Sequence, residues 1–305
     1  MNRRVWIAAS AASVVLGPGA ARAQALTPLD VAYAGSMGSM MEGPIKAGVA
    51  QTLQIEIHGR AQGSDALAKL IVAGSIAADV FVPVTPGPMM TVLKAGKASV
   101  GIPVARTEMV IAYSPRSKYS RQFADAAAHR RGSMPWWQIL QQRDIRFGRT
   151  DPTVDPQGRN IIFTLQLAEA YYKQPGLAQR ILGQTINPTQ IFSEPTVEAR
   201  LQSGELDAAS AYKIQPGPFN LPFVSLPPEI NLGSDAQRDQ YAQQSLELGG
   251  VTRHPEPLVY YAAVLDGSAH KERAVAFVNW LTGSGQAVFR RYFYDPPVGA
   301  PPLRA

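Results

Sequence analysis

Strand-like and helix-like stretches alternate along this chain, and small-residue turns separate them. Residues 29–33 read as a strand, 38–48 as a helix, 53–57 as a strand, 65–73 as a helix, 79–83 as a strand and 89–95 as a helix. Helix signals are apolar residues at helical spacing, as with Leu67, Leu70 and Ile71, with Ser64 at the expected N-cap position. A β-α-β-α-β-α order predicts a mainly parallel sheet joined by right-handed crossovers. Further strands are expected at 108–113, 145–148, 208–212, 222–226 and 258–264. Further helices are expected at 136–141, 161–172, 195–204, 271–282 and 285–292. The Pro-rich stretch 216–228 reads as a rigid crossing, and 295–305 as irregular.

Three of the turns share a chemistry. Residues 34–41 read AGSMGSMM, 63–65 read GSD and 155–158 read DPQG, and each opens a candidate helix. Helix N-termini present free N–H groups and the positive end of the dipole, so converging turns of this kind hold an anion without changing it. A tetrahedral oxyanion offers only acceptors at neutral pH, and a dry site for it needs N–H and O–H donors. Ser36 and Ser64 are the best hydroxyl donors, and Ser39 can replace or supplement Ser36. The competing reading makes both serines ordinary helix caps. Met37, Met40 and Met41 read as helix packing, and Trp136-Trp137 as a packing pair.

The first 25 residues read as an export leader. Arg3 and Arg4 precede an apolar run, and Ala21-Arg22-Ala23 supplies a cleavage site. The run is interrupted by Gly17-Pro18-Gly19 and is too short to span a bilayer. The chain has no cysteine. Disulfides and an N-terminal lipid-bearing cysteine are therefore excluded, and a periplasmic protein without a lipid anchor is expected. The formal charge of +6 includes Arg3, Arg4 and Arg22 of the leader. The remaining balance is mildly positive, which suits an anionic ligand and is too scattered for nucleic acid.

Enzyme motifs are weak. Ser210-Ala211-Tyr212-Lys213 fits S-x-x-K, but its partner motifs are absent and its local reading is a strand end. His58, His129, His254 and His270 lack metal-ligand spacing. The expectation is a binding protein, not an enzyme, with no cofactor.

Several segments together resemble the molybdate/tungstate-binding proteins of ABC transporters. Ala34-Gly35-Ser36 matches that family's first-strand loop, Gly63-Ser64 its second serine loop and Ala78-Asp79-Val80 its following strand. The segment 148–158, GRTDPTVDPQG, is similar to the region ending in D-P-x-G-Y-R, and 226–232, LPPEINL, looks like a family segment. Residues 274–289 resemble the C-terminal helix pattern of solute-binding proteins. The resemblance implies a type II periplasmic binding fold: two α/β lobes with mainly parallel sheets, joined by two crossing strands, that close on ligand. Lobe I would take 26–106 and 223–305, and lobe II 107–222. The implied ligand is molybdate or tungstate, held by Ser36 and Ser64 with Asp155 and Tyr212 from lobe II. The implied partner is an inner-membrane ABC permease, and a monomer is expected.

This chain departs from the family pattern at Arg159 and Asn160, which replace a tyrosine and an arginine. Ala211 stands where the family has a glutamate. With one carboxylate lost, four-coordinate binding of the oxyanion is expected, Arg159 compensating the charge of Asp155 or binding the anion itself. Sulfate, phosphate, a phosphonate or a carboxylate stays open as the ligand, as does a periplasmic sensor role.

Overall fold

The computed structural model describes residues 26–305. The expected leader lies outside the described residues. The chain begins with strand β1 (Thr27–Ala34), a 3₁₀ turn at Gly35–Met37, α1 (Gly38–Met40), a π turn at Met41–Ile45 and α2 (Lys46–Leu53). Next come β2 (Ile55–Gln62), α3 (Ser64–Val72), β3 (Val80–Val82), α4 (Pro86–Lys94) and β4 (Ile102–Arg106). The middle of the chain forms β5 (Met109–Tyr113), α5 (Ser120–Ala127), α6 (Trp136–Ile139), β6 (Phe147–Gly148), α7 (Pro156–Tyr172), α8 (Leu177–Leu182), α9 (Glu194–Ser203), β7 (Ala208–Tyr212) and β8 (Phe223–Ser225). It ends with α10 (Arg238–Tyr241), the pair β9 (Leu246–Leu248) and β10 (Val251–Arg253), β11 (Val259–Val264), α11 (Lys271–Thr282) and α12 (Gln286–Arg291).

These elements make two α/β lobes. The first sheet has the order β2-β1-β3-β11-β4 and the second the order β6-β7-β5-β8. Strands β2, β1 and β3 are mutually parallel, as the β-α-β alternation requires. The remaining pairing is mixed. Strand β11 runs antiparallel to β3 and β4, and β5 runs antiparallel to β7 and β8, while β6 and β7 are parallel. The expectation of mainly parallel sheets therefore holds for one half of the first sheet. Chain returning from the other lobe enters each sheet in the opposite direction.

The lobes meet at two crossings. One is the short link between β4 and β5, and the other runs from β8 to β11. They are tied together where Thr107 N–H donates to Leu258 O at 2.9 Å and Met109 N–H to Asn231 O at 2.7 Å. Leu258 N–H also donates to Leu232 O at 2.8 Å. Strand β8 pairs with β5 at Ile111↔Val224, so residues 223–225 lie in the second sheet, whereas the sequence boundary at 223 had returned them to lobe I. Strand β5 offers an open edge at that point, and Val224 completes it.

Helix α7 is the spine of lobe II. Asp155 caps it, its carboxylate accepting from Gln157 N–H at 2.8 Å, and Pro156 occupies the first helical position. The helix starts five residues before the expected 161, because residues 155–158, DPQG, read as a turn. Glycine is required at 158 for a steric reason: a Cβ there would lie 2.4 Å from Thr150 O and 2.7 Å from Pro152 N. Ile161, Phe163, Leu165 and Leu167 are buried along it, and Trp136 and Trp137 pack on its Tyr172. Burial nearly all round marks a central helix and not a surface one. Met37, Met40 and Met41 are buried in lobe I, in keeping with their reading as helix packing.

Candidate functional site

Parallel pairing places the two serine turns side by side. In the β1–β2 register Ala34 lies opposite Gln62. The residues that follow, Gly35-Ser36 and Gly63-Ser64, therefore leave the sheet from the same edge, at the carboxyl ends of neighbouring parallel strands. Lobe II repeats the device. The parallel strands β6 and β7 end at Gly148 and Tyr212, and the loop after β6 leads to Asp155. Open α/β sheets bind ligands at such strand ends.

These strand ends and turns line one cavity of about 220 Å³, with Ser36, Ser64, Val84, Asp155, Pro156 and Tyr212 among its walls. Ser64 is buried, and its Oγ accepts from Val84 N–H at 3.3 Å. Its own proton is thereby left to point elsewhere, as a ligand donor must. Ser64 is the first residue of α3 and Gly63 is the N-cap, so Ser64 does not fill the capping role expected from the sequence. The Ser36 hydroxyl lies 2.9 Å from Tyr260 Oη on β11. Nothing in the sequence had singled out Tyr260.

On the lobe II side a glutamine pair locks the turn to the strand. Gln157 Nε2 donates to Gln215 Oε1 at 2.6 Å, and the same Oε1 accepts from Tyr212 N–H at 2.6 Å. Asp155 and Tyr212 therefore belong to one braced unit. Asn160 Nδ2 donates to Tyr212 Oη at 3.0 Å, so Asn160, noted as a departure in the sequence, orients the cavity tyrosine. Burial pushes the Asp155 carboxyl above the usual carboxylate range, against the opposing pull of the Gln157 amide and the Arg159 charge. Burial thus works against the charged form of a carboxyl placed beside an anion.

Beneath this unit sits a second buried acid. Glu198 of α9 has its Oε2 without a hydrogen-bond partner, and burial pushes its carboxyl up to about 7, with Asp155 adding repulsion. Ser210 Oγ on β7 is likewise buried and unpaired. Lys213, the last residue of the S-x-x-K match, is engaged elsewhere: its Nζ contacts the Asp295 carboxylate at 2.9 and 2.8 Å.

A profile of the family described as bacterial extracellular solute-binding protein matches residues 29–295. The chain belongs to that family. This solute-binding protein is 31% identical over 219 residues to the molybdate/tungstate-binding protein WtpA of Thermococcus kodakarensis, covering 64% of this chain and 60% of the relative. The WtpA protein of Pyrococcus abyssi is 30% identical over 219 residues, 64% of this chain and 62% of its own length. The chain thus spans about three fifths of these curated relatives. Among solved structures, the Azotobacter vinelandii periplasmic molybdate-binding protein superposes with a TM-score of 0.58 at 16% identity, covering 87% of this chain and 98% of that one. The substrate-binding domain of a putative molybdenum ABC transporter from Clostridium difficile gives 0.58 at 17% identity, covering 88% of this chain and 99% of that one. These likenesses establish the type II periplasmic binding fold.

Two of the sequence candidates sit elsewhere in this solute-binding protein. Ser39 is an exposed residue of α1 and is not part of the cavity lining, because the chain has already turned into the helix after Gly35–Met37. Arg159 lies one turn into α7 and lines an adjoining chamber. Its Nη1 donates to Pro152 O at 3.2 Å and its Nη2 lies 3.5 Å from Asp65 Oδ2 of α3 in lobe I. Among the described residues no helix is long and apolar enough to cross a membrane.

Proposed function

We propose that the protein captures a tetrahedral oxyanion, molybdate or tungstate, between its lobes and delivers it to an ABC permease from the periplasm, acting as a monomer and not as an enzyme. The observation that carries this reading is the single cavity shared by Ser36, Ser64, Asp155 and Tyr212. Two hydroxyls and the amides of two turns from lobe I face a capped helix start from lobe II. The names of the curated relatives support the choice of oxyanion. The chain offers one carboxylate in the cavity, and Ala211 is a buried strand residue on β7. Four oxygens around the metal are therefore expected, with Asp155 acting as a hydrogen-bonding group toward the anion. Arg159 contributes long-range charge from the next chamber.

Thermal-shift screening of the mature chain tests this reading. Molybdate, tungstate, sulfate, phosphate and small carboxylates are compared; a ligand at ~100 times its dissociation constant adds about 2.7 kcal/mol of stability. Molybdate or tungstate is expected to give the largest shift. Ser36→Ala and Ser64→Ala are each expected to weaken that binding by roughly 1.5–3 kcal/mol, the range for a hydrogen bond to a charged group. A flat response to both metal oxyanions refutes the reading.

A further inference from the structure

A second chamber of about 200 Å³ adjoins the oxyanion cavity and shares Ser64, Val84 and Pro156 with it. Its lining is mixed: Arg159, Asn160, Thr252 and Arg253 are among the polar residues, and Val84, Pro88, Pro156 and Phe163 among the apolar ones. The oxyanion reading makes no use of this chamber beyond the distant charge of Arg159.

Its two arginines are only partly engaged by the acids around them. Arg159 has a side chain only 10% exposed, and its ion-pair partner Asp65 lies at 3.5 Å and is half exposed. Burial depresses the Arg159 guanidinium, and the Arg253 charge close by depresses it further. Arg253 has a buried Nε with no hydrogen-bond partner. The remaining acid in the lining, Glu256, is engaged at the start of α4, where it accepts from Gly87 N–H at 3.1 Å, and burial raises it. His254 Nδ1 is turned to the backbone oxygens of Ala242 and Gln244.

The geometry points to a second, separate anion subsite in this chamber, for a small organic carboxylate whose acid group sits on Arg159 and Arg253 and whose hydrocarbon body covers Pro88 and Phe163. Guanidinium groups match carboxylates in a planar, two-point fashion. An inorganic oxyanion presents acceptors on every side and would leave the apolar lining facing oxygen, at a desolvation cost. A short carboxylic acid satisfies both kinds of lining residue. The inference goes beyond the proposed capture of molybdate or tungstate and does not depend on it.

Calorimetric titration with sodium butyrate tests the subsite, with sodium sulfate at matched ionic strength as the inorganic arm. Butyrate is expected to bind saturably both to the free protein and to protein saturated with molybdate. Arg253→Gln and Arg159→Gln are each expected to weaken butyrate by about tenfold or more, in line with the loss of one charged hydrogen bond. Thermal unfolding of each variant verifies that it is folded. The inference is overturned if butyrate produces no saturable signal, if folded Arg253→Gln binds it as the parent does, if molybdate competes it away, or if sulfate binds the chamber equally well. A chain that binds butyrate and ignores molybdate and tungstate would refute the oxyanion reading while leaving the subsite standing.

Discussion

The Ser36 hydroxyl and the Tyr260 phenol lie 2.9 Å apart, joining the first turn of the chain to a strand that returns from the other lobe. If Ser36 donates its proton to an anion, its oxygen is free to accept from Tyr260. Tyr260 is fully buried and packs at a tilt against Tyr294, ring centroids 5.5 Å apart, so its position is fixed by packing. Tyr260→Phe keeps the ring and removes the hydroxyl. We expect it to weaken oxyanion binding by about 1 kcal/mol, the net value of one hydrogen bond, with a smaller effect on thermal stability. Calorimetry of the variant beside Ser36→Ala checks this; additive losses would show that the two hydroxyls act independently.

Asp155 gives the binding a pH signature. Its carboxyl titrates above the usual range because it is buried. A proton on Asp155 removes a negative charge next to a dianion, so affinity should fall as pH rises through the raised value. Asp155→Asn keeps a cap acceptor for Gln157 N–H and cannot ionise. Its affinity is expected to stay flat over the window in which the parent declines. Isothermal titration at stepped pH values reads both curves, and parallel curves would remove Asp155 from the site.

Glu198 should govern stability in a similar way. Its carboxyl moves from an ordinary 4.5 to about 7 in the fold. The folded state therefore holds a proton more tightly than the unfolded one, and this contribution is fully present below 4.5 and is lost as pH rises through about 7. Glu198→Gln is expected to be the more stable form at pH ~8, by roughly 3 kcal/mol given the size of the shift. Urea melts at low and high pH should show the gap opening with pH; a constant gap would mean that Glu198 titrates normally.

Gly158 tests the turn that delivers Asp155. A methyl group there would press on the backbone at Thr150 O, 2.4 Å away, and backbone has no rotamer to yield. Gly158→Ala should cost about 1–3 kcal/mol through overpacking, despite the better helix propensity of alanine. Chemical denaturation measures the loss, and a neutral or stabilised variant would show that the loop relaxes freely.

Much of this arrangement was legible in the sequence. Strand β7 and helix α11 have the bounds read from spacing alone, and the Gly-Ser turns after β1 and β2 could be placed because parallel strands deliver successive turns to one edge. Local signals failed where tertiary contacts decide. Tyr260 and Tyr261 are neighbours of the same type, yet the period of a strand sends them to different faces, one into each of two buried clusters. Only the register of β11 says which one meets Ser36. Arg159 reads as a site residue because it follows the Asp-Pro turn, but helical rotation carries it into the next chamber. The β9–β10 hairpin was missed although its turn, Gly249-Gly250, has φ of 60° and 75°, a left-handed pair that suits tight hairpins. Helix α5 was also missed, although its buried Phe123 and Ala126 stand at helical spacing on an otherwise polar segment.

The last residues of the chain have no regular structure, yet Asp295 and Leu303 bridge to Arg106 and Gly101 at the two ends of β4. Since β4 is the outermost strand of its sheet, those contacts act as a guard rail over backbone groups that would otherwise be open to a passing chain. Trimming this tail to obtain a tidier protein would uncover a template for intermolecular strand addition, and the first symptom would be aggregation with the ligand cavity still intact.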